Sequence, residues 1–263
     1  MSTRSYAVTD SITMLRRDLK KILRYPTSVI FIVGFPLLFL LLFVYVFGGA
    51  LGTSVANLGN GSTSYVDYIV PGLVVMTAAT GSLGTSSSVN VDMTEGIIAR
   101  FRTMAIFRPS ILIARVVSSM MQTLTSMALI FGVALLMGFR PTAGIGEWIM
   151  AIGLLALATF ALTWLGVAFG VAAKTLDAAS NAPFPLIILP FVGSGIVPTE
   201  SMPNGVRQFA EYQPFTPIIE TLRGLLMGTP IGHNAVIAIA WCVGLSIVGF
   251  LWARKNFNRD RTQ

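Results

Sequence analysis

Glu220 and Arg223 stand three positions apart, a spacing that lets them pair on one helix face. Asp92, Glu95, Arg100, Arg102 and Arg108 crowd into a second charged stretch, VNVDMTEGIIARFRTMAIFRPS. Neither set makes a catalytic constellation. HExxH, GxSxG and paired membrane carboxylates are all missing. The nearest approach to a phosphate-binding loop is Ala173-Lys174-Thr175, which lacks the glycine before the lysine and a preceding strand. One histidine, His233, and one cysteine, Cys242, cannot build a metal centre or a disulfide framework. The chain therefore reads as a non-enzyme with no catalytic residue, no metal and no cofactor of its own.

The elements that carry these charges must be membrane helices. Of the 263 residues 54% are hydrophobic and 11% charged, against about 25% charged in soluble domains. A helix needs about 20 apolar residues to cross the hydrocarbon core. Six stretches qualify as candidates: 28–47, 69–88, 111–137, 148–173, 183–197 and 235–253. The fifth is short and holds Pro183, Pro185 and Pro190. The expected fold is thus all-α and integral to the membrane. Residues 1–27 precede the transmembrane domain, 28–253 form it, and 254–263 make a basic tail.

Fifteen of the 18 Lys and Arg residues fall on one side of this arrangement; Arg140, Arg207 and Arg223 fall on the other. Basic residues mark the cytoplasmic side, so both termini are placed in the cytoplasm of a multi-pass cell-membrane protein. The net charge of +7 reads as topology and contact with anionic lipid, with no call for nucleic acid. No Asp, Glu, Lys or His sits at mid-membrane depth in the six stretches, which argues against an ion relay. Energy for any pumping must then come from another chain.

Before the first span, Ile12, Leu15, Leu19, Ile22 and Leu23 recur at helical spacing, with Asp10 or Ser11 to cap and Pro26 to stop. Arg16, Arg17, Lys20, Lys21 and Arg24 cover the rest of that helix, which fits one lying flat at the cytoplasmic interface. In the charged stretch, Asp92 and Glu95 have capping-box spacing. Ile97, Ile98, Phe101, Met104 and Ala105 form an apolar face, while Arg100 and Arg102 point elsewhere. Pro109 is expected to end the helix and to push Arg108 toward extended backbone. A short helix over about 92–108, joined at both ends to spans, is a lever for a docking partner.

The second span ends in a run of small polar residues, Thr77, Thr80, Ser82, Thr85, Ser86, Ser87, Ser88 and Asn90. Two readings stay open for it, helix-packing glue and substrate contact. Gly166 with Gly170, and Gly48 with Gly52, are GxxxG pairs that favour close packing. Between the fifth and sixth spans, Val206, Phe209 and Ala210 line one short helix, and Ile218, Ile219, Leu222 and Leu225 a second. Pro203, Pro214 and Pro217 punctuate them, which fits two re-entrant helices dipping into the outer leaflet.

The segment from 181 to 230 resembles the signature of ABC-2 type transporter permeases, in their daunorubicin-resistance branch. The residues that carry the likeness are SGIVPTESMP and FAEYQPFTPIIETLRGLLMG: a Pro198 exit from the fifth span, the Met202-Pro203 pair, the turn through Pro214, and Glu220-x-x-Arg223 before a glycine. The sequence departs from the pattern at Asn204-Gly205. The resemblance covers the whole chain. It makes 92–108 a coupling helix, with Asp92, Glu95, Ile97, Arg100, Phe101 and Arg102 facing an ATPase, and the basic N-terminal helix an interfacial elbow. It further implies two separate ATP-binding-cassette ATPase subunits carrying ATP and Mg, and a second permease chain, identical or paralogous. The expected activity is ATP-driven export of amphipathic drugs, antibiotics or lipids. An ATPase-independent channel and an assembly scaffold are the alternatives; a channel should show an aqueous stripe or charged ring.

Overall fold

Tyr65 to Thr94 form one helix of 30 residues, and the bundle is arranged around it. The computed structural model describes residues 27–46, 48, 64–94 and 108–259. This helix has no charge between Asp67 and Asp92, and its second half is rich in Gly, Ser and Thr. Small side chains admit neighbouring backbones closely, and in lipid such packing drives helix association. Every residue from Tyr65 to Ala79 is buried as a result.

In chain order the described helices are α1 (Thr27–Leu41, continued by a π-helical turn, Leu42–Val46), α2 (Tyr65–Thr94), α3 (Arg108–Leu136), α4 (Ile145–Ala172), α5 (Leu176–Asn181), α6 (Phe184–Val192), α7 (Asn204–Tyr212), α8 (Phe215–Met227) and α9 (Asn234–Arg259). A 3-10 turn, Thr199–Ser201, joins α6 to α7, and no strand occurs among the described residues. α2 touches α1, α3, α4, α5, α6 and α8. α9 stands at the rim along α4, where Trp164 meets Phe250 and Phe169 meets Trp252, each pair edge to face at 5.0 Å. Its outer side shows Val236, Ile239, Val243, Ile247, Val248 and Leu251, a surface suited to hydrocarbon.

Four described helices are long and apolar enough to cross a membrane: Tyr65–Thr94, Arg115–Leu136, Ile145–Ala172 and Asn234–Phe257. They correspond to the second, third, fourth and sixth expected spans. In place of the first, α1 and its π turn cover Thr27 to Val46. The fifth departs from a continuous helix. α6 has nine residues, about 14 Å at 1.5 Å per residue, well short of the roughly 30 Å core. Pro183 and Pro185 set its start, and the chain from Gly193 to Pro198 is non-helical. The interfacial-helix residues Arg16, Arg17, Lys20, Lys21 and Arg24, and Gly52 of the first GxxxG pair, lie outside the described residues.

Two expectations about the charged stretch need correction. Asp92 does not cap a new helix; α2 runs through it to Thr94, six residues past the expected end of the span. Arg108 is not extended either: it and Pro109 are helical, and α3 is described from Arg108 on.

Candidate functional site

Of the expected functional residues that the structure describes, Asp92 lies near one end of α2 and Arg223 packs against the other. At the Thr94 end, Arg115 of α3 reaches across to Asp92, with Nη2 2.5 Å from Oδ2, and donates a second bond to the Ser88 carbonyl at 3.0 Å. Both side chains are mostly shielded, at 15% and 21% exposure. A half-buried, charge-assisted pair of this kind is directional as well as strong. It fastens the helices that flank 95–107. Glu95, Ile97, Arg100, Phe101 and Arg102 lie outside the described residues.

The same end is knitted to α4 and α5 through the small polar run. Asn90 Nδ2 donates to the carbonyls of Gly170 (3.2 Å) and Ala173 (2.7 Å). Ser86 donates to the Ala179 carbonyl at 2.7 Å, and Ser87 meets Ser180 at 3.0 Å. Gly166 and Gly170 lie against the carbonyls of Ser82 and Ser86, each 2.5 Å from where a Cβ would stand. The hydroxyls of Thr77, Thr80, Ser82, Thr85 and Ser87 bond carbonyls of their own helix. Of the two readings of this run, packing accounts for these contacts. Thr175 is likewise structural: its Oγ1 accepts the Ala178 N–H at 3.2 Å and caps α5.

At the Tyr65 end the broken span finds its hydrogen bonds. Non-helical backbone in a membrane protein must have its polar groups met by protein or by a wet cavity. Here side chains from α2, from α8 and from the junction between α7 and α8 do it. Tyr68 Oη donates to the Ser194 carbonyl at 3.1 Å, and Tyr65 Oη to that of Ile196 at 3.4 Å. Gln213 Nε2 donates to the Leu189 carbonyl at 2.9 Å, and Thr216 Oγ1 accepts the Ser194 N–H at 3.4 Å. Gly72 of α2 meets Gly195 so closely that no Cβ would fit.

Arg223 is the hub of this end. It is 7% exposed. Its Nη2 donates to the carbonyls of Ser194 (2.7 Å) and Tyr68 (3.1 Å), and Nη1 meets Glu220 Oε1 at 2.5 Å. The guanidinium also lies over the Tyr68 ring. The expected Glu220–Arg223 pair therefore forms, and it holds three elements together. The other residues expected here shape the chain. Pro203 and Pro214 stand at the starts of α7 and α8, and Pro198 and Met202 flank the 3-10 turn. On α7, Arg207 pairs with Glu211 at 2.7 Å in the open, which pushes the guanidinium's pKa further up. Val206 and Phe209 face outward there, and only Ala210 is buried.

Sequence reasoning missed Tyr68, Ser194, Gln213, Thr216 and, as an ion-pair partner, Arg115. Gln213 and Thr216 stand inside the YQPFTP stretch, which reads as an aromatic-x-Pro-x-(Thr)-Pro turn with no contact assigned to either side chain. A crevice between α2 and α6, lined by Gly72, Met76, Pro190, Phe191 and Ile196, has about 10 Å³ of room, water-sized at most. No group of three or more metal-ligating side chains occurs among the described residues.

Comparison with known proteins matches residues 9–227 to the ABC-2 type transporter family. The chain is 28% identical over 244 residues to the daunorubicin resistance ABC transporter permease protein DrrB1 of Streptomyces coeruleorubidus, covering 92% of this chain and 81% of that protein. It is 24% identical over 180 residues to the probable doxorubicin resistance ABC transporter permease protein DrrC of Mycobacterium tuberculosis, covering 68% and 65%. A putative transport permease, ycf38 of Porphyra purpurea, is 26% identical over 246 residues, covering 90% and 81%. The chain belongs to the ABC-2 type transporter family, as an integral-membrane permease subunit that leaves ATP hydrolysis to a separate chain.

Proposed function

We propose that this chain forms the transmembrane path of an exporter for amphipathic drugs, antibiotics or lipids, powered by a partner ATPase. The observation that carries the reading is the family match over 9–227, together with relatives named for daunorubicin and doxorubicin resistance. The basic residues support a topology with both termini in the cytoplasm, which puts the Thr94 end of α2 inside and the Tyr65 end outside. The segment 92–108 is the coupling element, and Glu95, Ile97, Arg100, Phe101 and Arg102 face the ATPase. Arg16, Arg17, Lys20, Lys21 and Arg24 hold the N-terminal helix to lipid phosphates.

Two permease chains, identical or paralogous, and two ATPase subunits complete the transporter, with ATP and Mg bound on the ATPases. The six-span count belongs to this reading, with α5, α6 and the non-helical stretch 193–198 serving as the fifth crossing. α7 and α8 form the outer re-entrant region. α8 supports this placement because it is buried along most of its length against α2, α4 and α9. Closure of the ATPases would bias the permeases between inward- and outward-facing states.

The first test is purification from the native host in mild detergent. A soluble chain with nucleotide-binding motifs should co-purify in stoichiometric amount; repeated recovery of this chain alone would move the weight to a channel or scaffold. The second is Glu95→Ala and Phe101→Ala. Each should leave a folded protein that no longer couples to its ATPase, and full ATP-driven export by both variants would overturn the coupling assignment.

A further inference from the structure

We propose that Arg223 is a positioning residue that makes α8 and the stretch 193–198 travel with α2, so that a displacement imposed at the Thr94 end reaches the opposite side of the membrane. The inference rests on the permease reading and adds to it the contact that carries the movement.

The geometry is specific to a guanidinium. Four polar contacts diverge from one plane: Nη1 to Glu220, Nη2 to Ser194 O and Tyr68 O, and Nε to Tyr68 O at 3.4 Å. The guanidinium carbon also stands over the Tyr68 ring. A lysine ammonium is a point charge and cannot fill that fork while standing over the ring. Two of the acceptors belong to α2 and the broken span, and the third to α8 itself. Elsewhere α8 meets the bundle mostly through apolar side chains such as Ile218, Ile219, Leu222 and Leu226, with two single hydrogen bonds beside them, Ser194 N–H to Thr216 Oγ1 and Thr142 N–H to the Leu226 carbonyl. Apolar contacts are non-directional and let one surface slide on another. The hydrogen-bonded fork resists sliding.

α2 is suited to transmit a push. Its 30 residues span about 45 Å, and Asp92–Arg115 fastens its other end to α3. Its one weak point is Pro71, which withholds an N–H from the helix ladder. Gly72, next to it, is pressed on Gly195 of the stretch that Arg223 holds. The joint is thus braced from outside by the element it has to move.

The test uses the complex of this chain with its ATPase in lipid nanodiscs. A cysteine is placed either at exposed Ser201, beyond α6, or at exposed Ala178, on α5. The native Cys242 is fully buried and gives a low background. The rate of reaction with a charged maleimide is compared with and without ATP plus vanadate. In the parent both sites should respond. With Arg223→Lys, the response at 178 should persist and that at 201 should shrink by about fivefold or more. Persistence of both responses, or equal loss of both, would overturn the proposal. Absence of any response in the parent would instead sink the permease reading beneath it. If Arg223→Lys does not assemble, Tyr68→Leu removes the ring and the Oη bond, and the same two readings decide.

Discussion

The guanidinium carbon of Arg223 lies 3.8 Å from the centre of the Tyr68 ring, on a helix 155 positions earlier in the chain. The charge is stabilised by that ring, by Glu220 and by two main-chain carbonyls. Replacing Arg223 with Leu takes one donor from each carbonyl, although Ser194 O keeps Tyr68 Oη, and leaves Glu220 without its cation. Glu220 keeps access to solvent at 32% exposure, so the loss falls below the roughly 3–5 kcal/mol of a fully buried pair. A thermal melt of the detergent-purified variant should show a large drop, and Glu220→Gln, which keeps an acceptor, a smaller one.

Gly166→Ala should destabilise the bundle by about 1–3 kcal/mol through overpacking, because the new methyl would meet the Ser82 carbonyl at 2.5 Å. The obstacle is main chain. Adding Ser82→Ala should therefore give no rescue in the same melt, whereas a side-chain clash would be relieved.

Asp92→Arg should weaken the joint between α2 and α3 and lower ATP-driven transport. The double exchange Asp92→Arg with Arg115→Asp restores opposite charges across the same gap. Transport should recover at least in part, as measured in vesicles containing the partner ATPase. No recovery would mean that the Ser88 carbonyl contact, or another role of Arg115, dominates.

Thr175→Ala should cost about 1 kcal/mol as the loss of a helix cap, and it should leave ATP hydrolysis by the complex at its parental rate. A selective loss of hydrolysis with unchanged melting would give Thr175 a role beyond capping α5.

How far each feature could be read from the chain depends on what its partner contributes. Glu220 and Arg223 were legible because both ends of the pair lie on one helix, three positions apart. What they hold was not. Ser194 and Tyr68 offer Arg223 their carbonyls, and every residue type has one. The short helices α7 and α8 followed from prolines that can begin a helix but not continue one. The broken fifth span was foreshadowed by its prolines, yet its repair by Tyr65, Tyr68, Gln213 and Thr216 depends on contacts across more than 120 positions in the case of the tyrosines. Asp92 was misread because the last turn of one helix and the cap of the next look alike in sequence. Arg115, 23 positions away, decides between them.

The long gap between Tyr68 and Arg223 also bears on how the protein is made. At synthesis rates of about 5–20 residues per second, roughly 8–30 s separate the emergence of the two residues. Early in that interval α2 can already be in the bilayer while Gly166, Gly170, Ala179 and Arg223 do not yet exist. Its hydroxyls need partners in lipid from the start, and Thr77, Thr80, Thr85 and Ser87 find them four residues back in the same helix. Asn90 and Ser86, whose bonds go to residues 80 to 93 positions later, sit near the Thr94 end, where the proposed topology puts the water interface. The placement of its polar residues lets the central helix wait alone for the bundle that will enclose it.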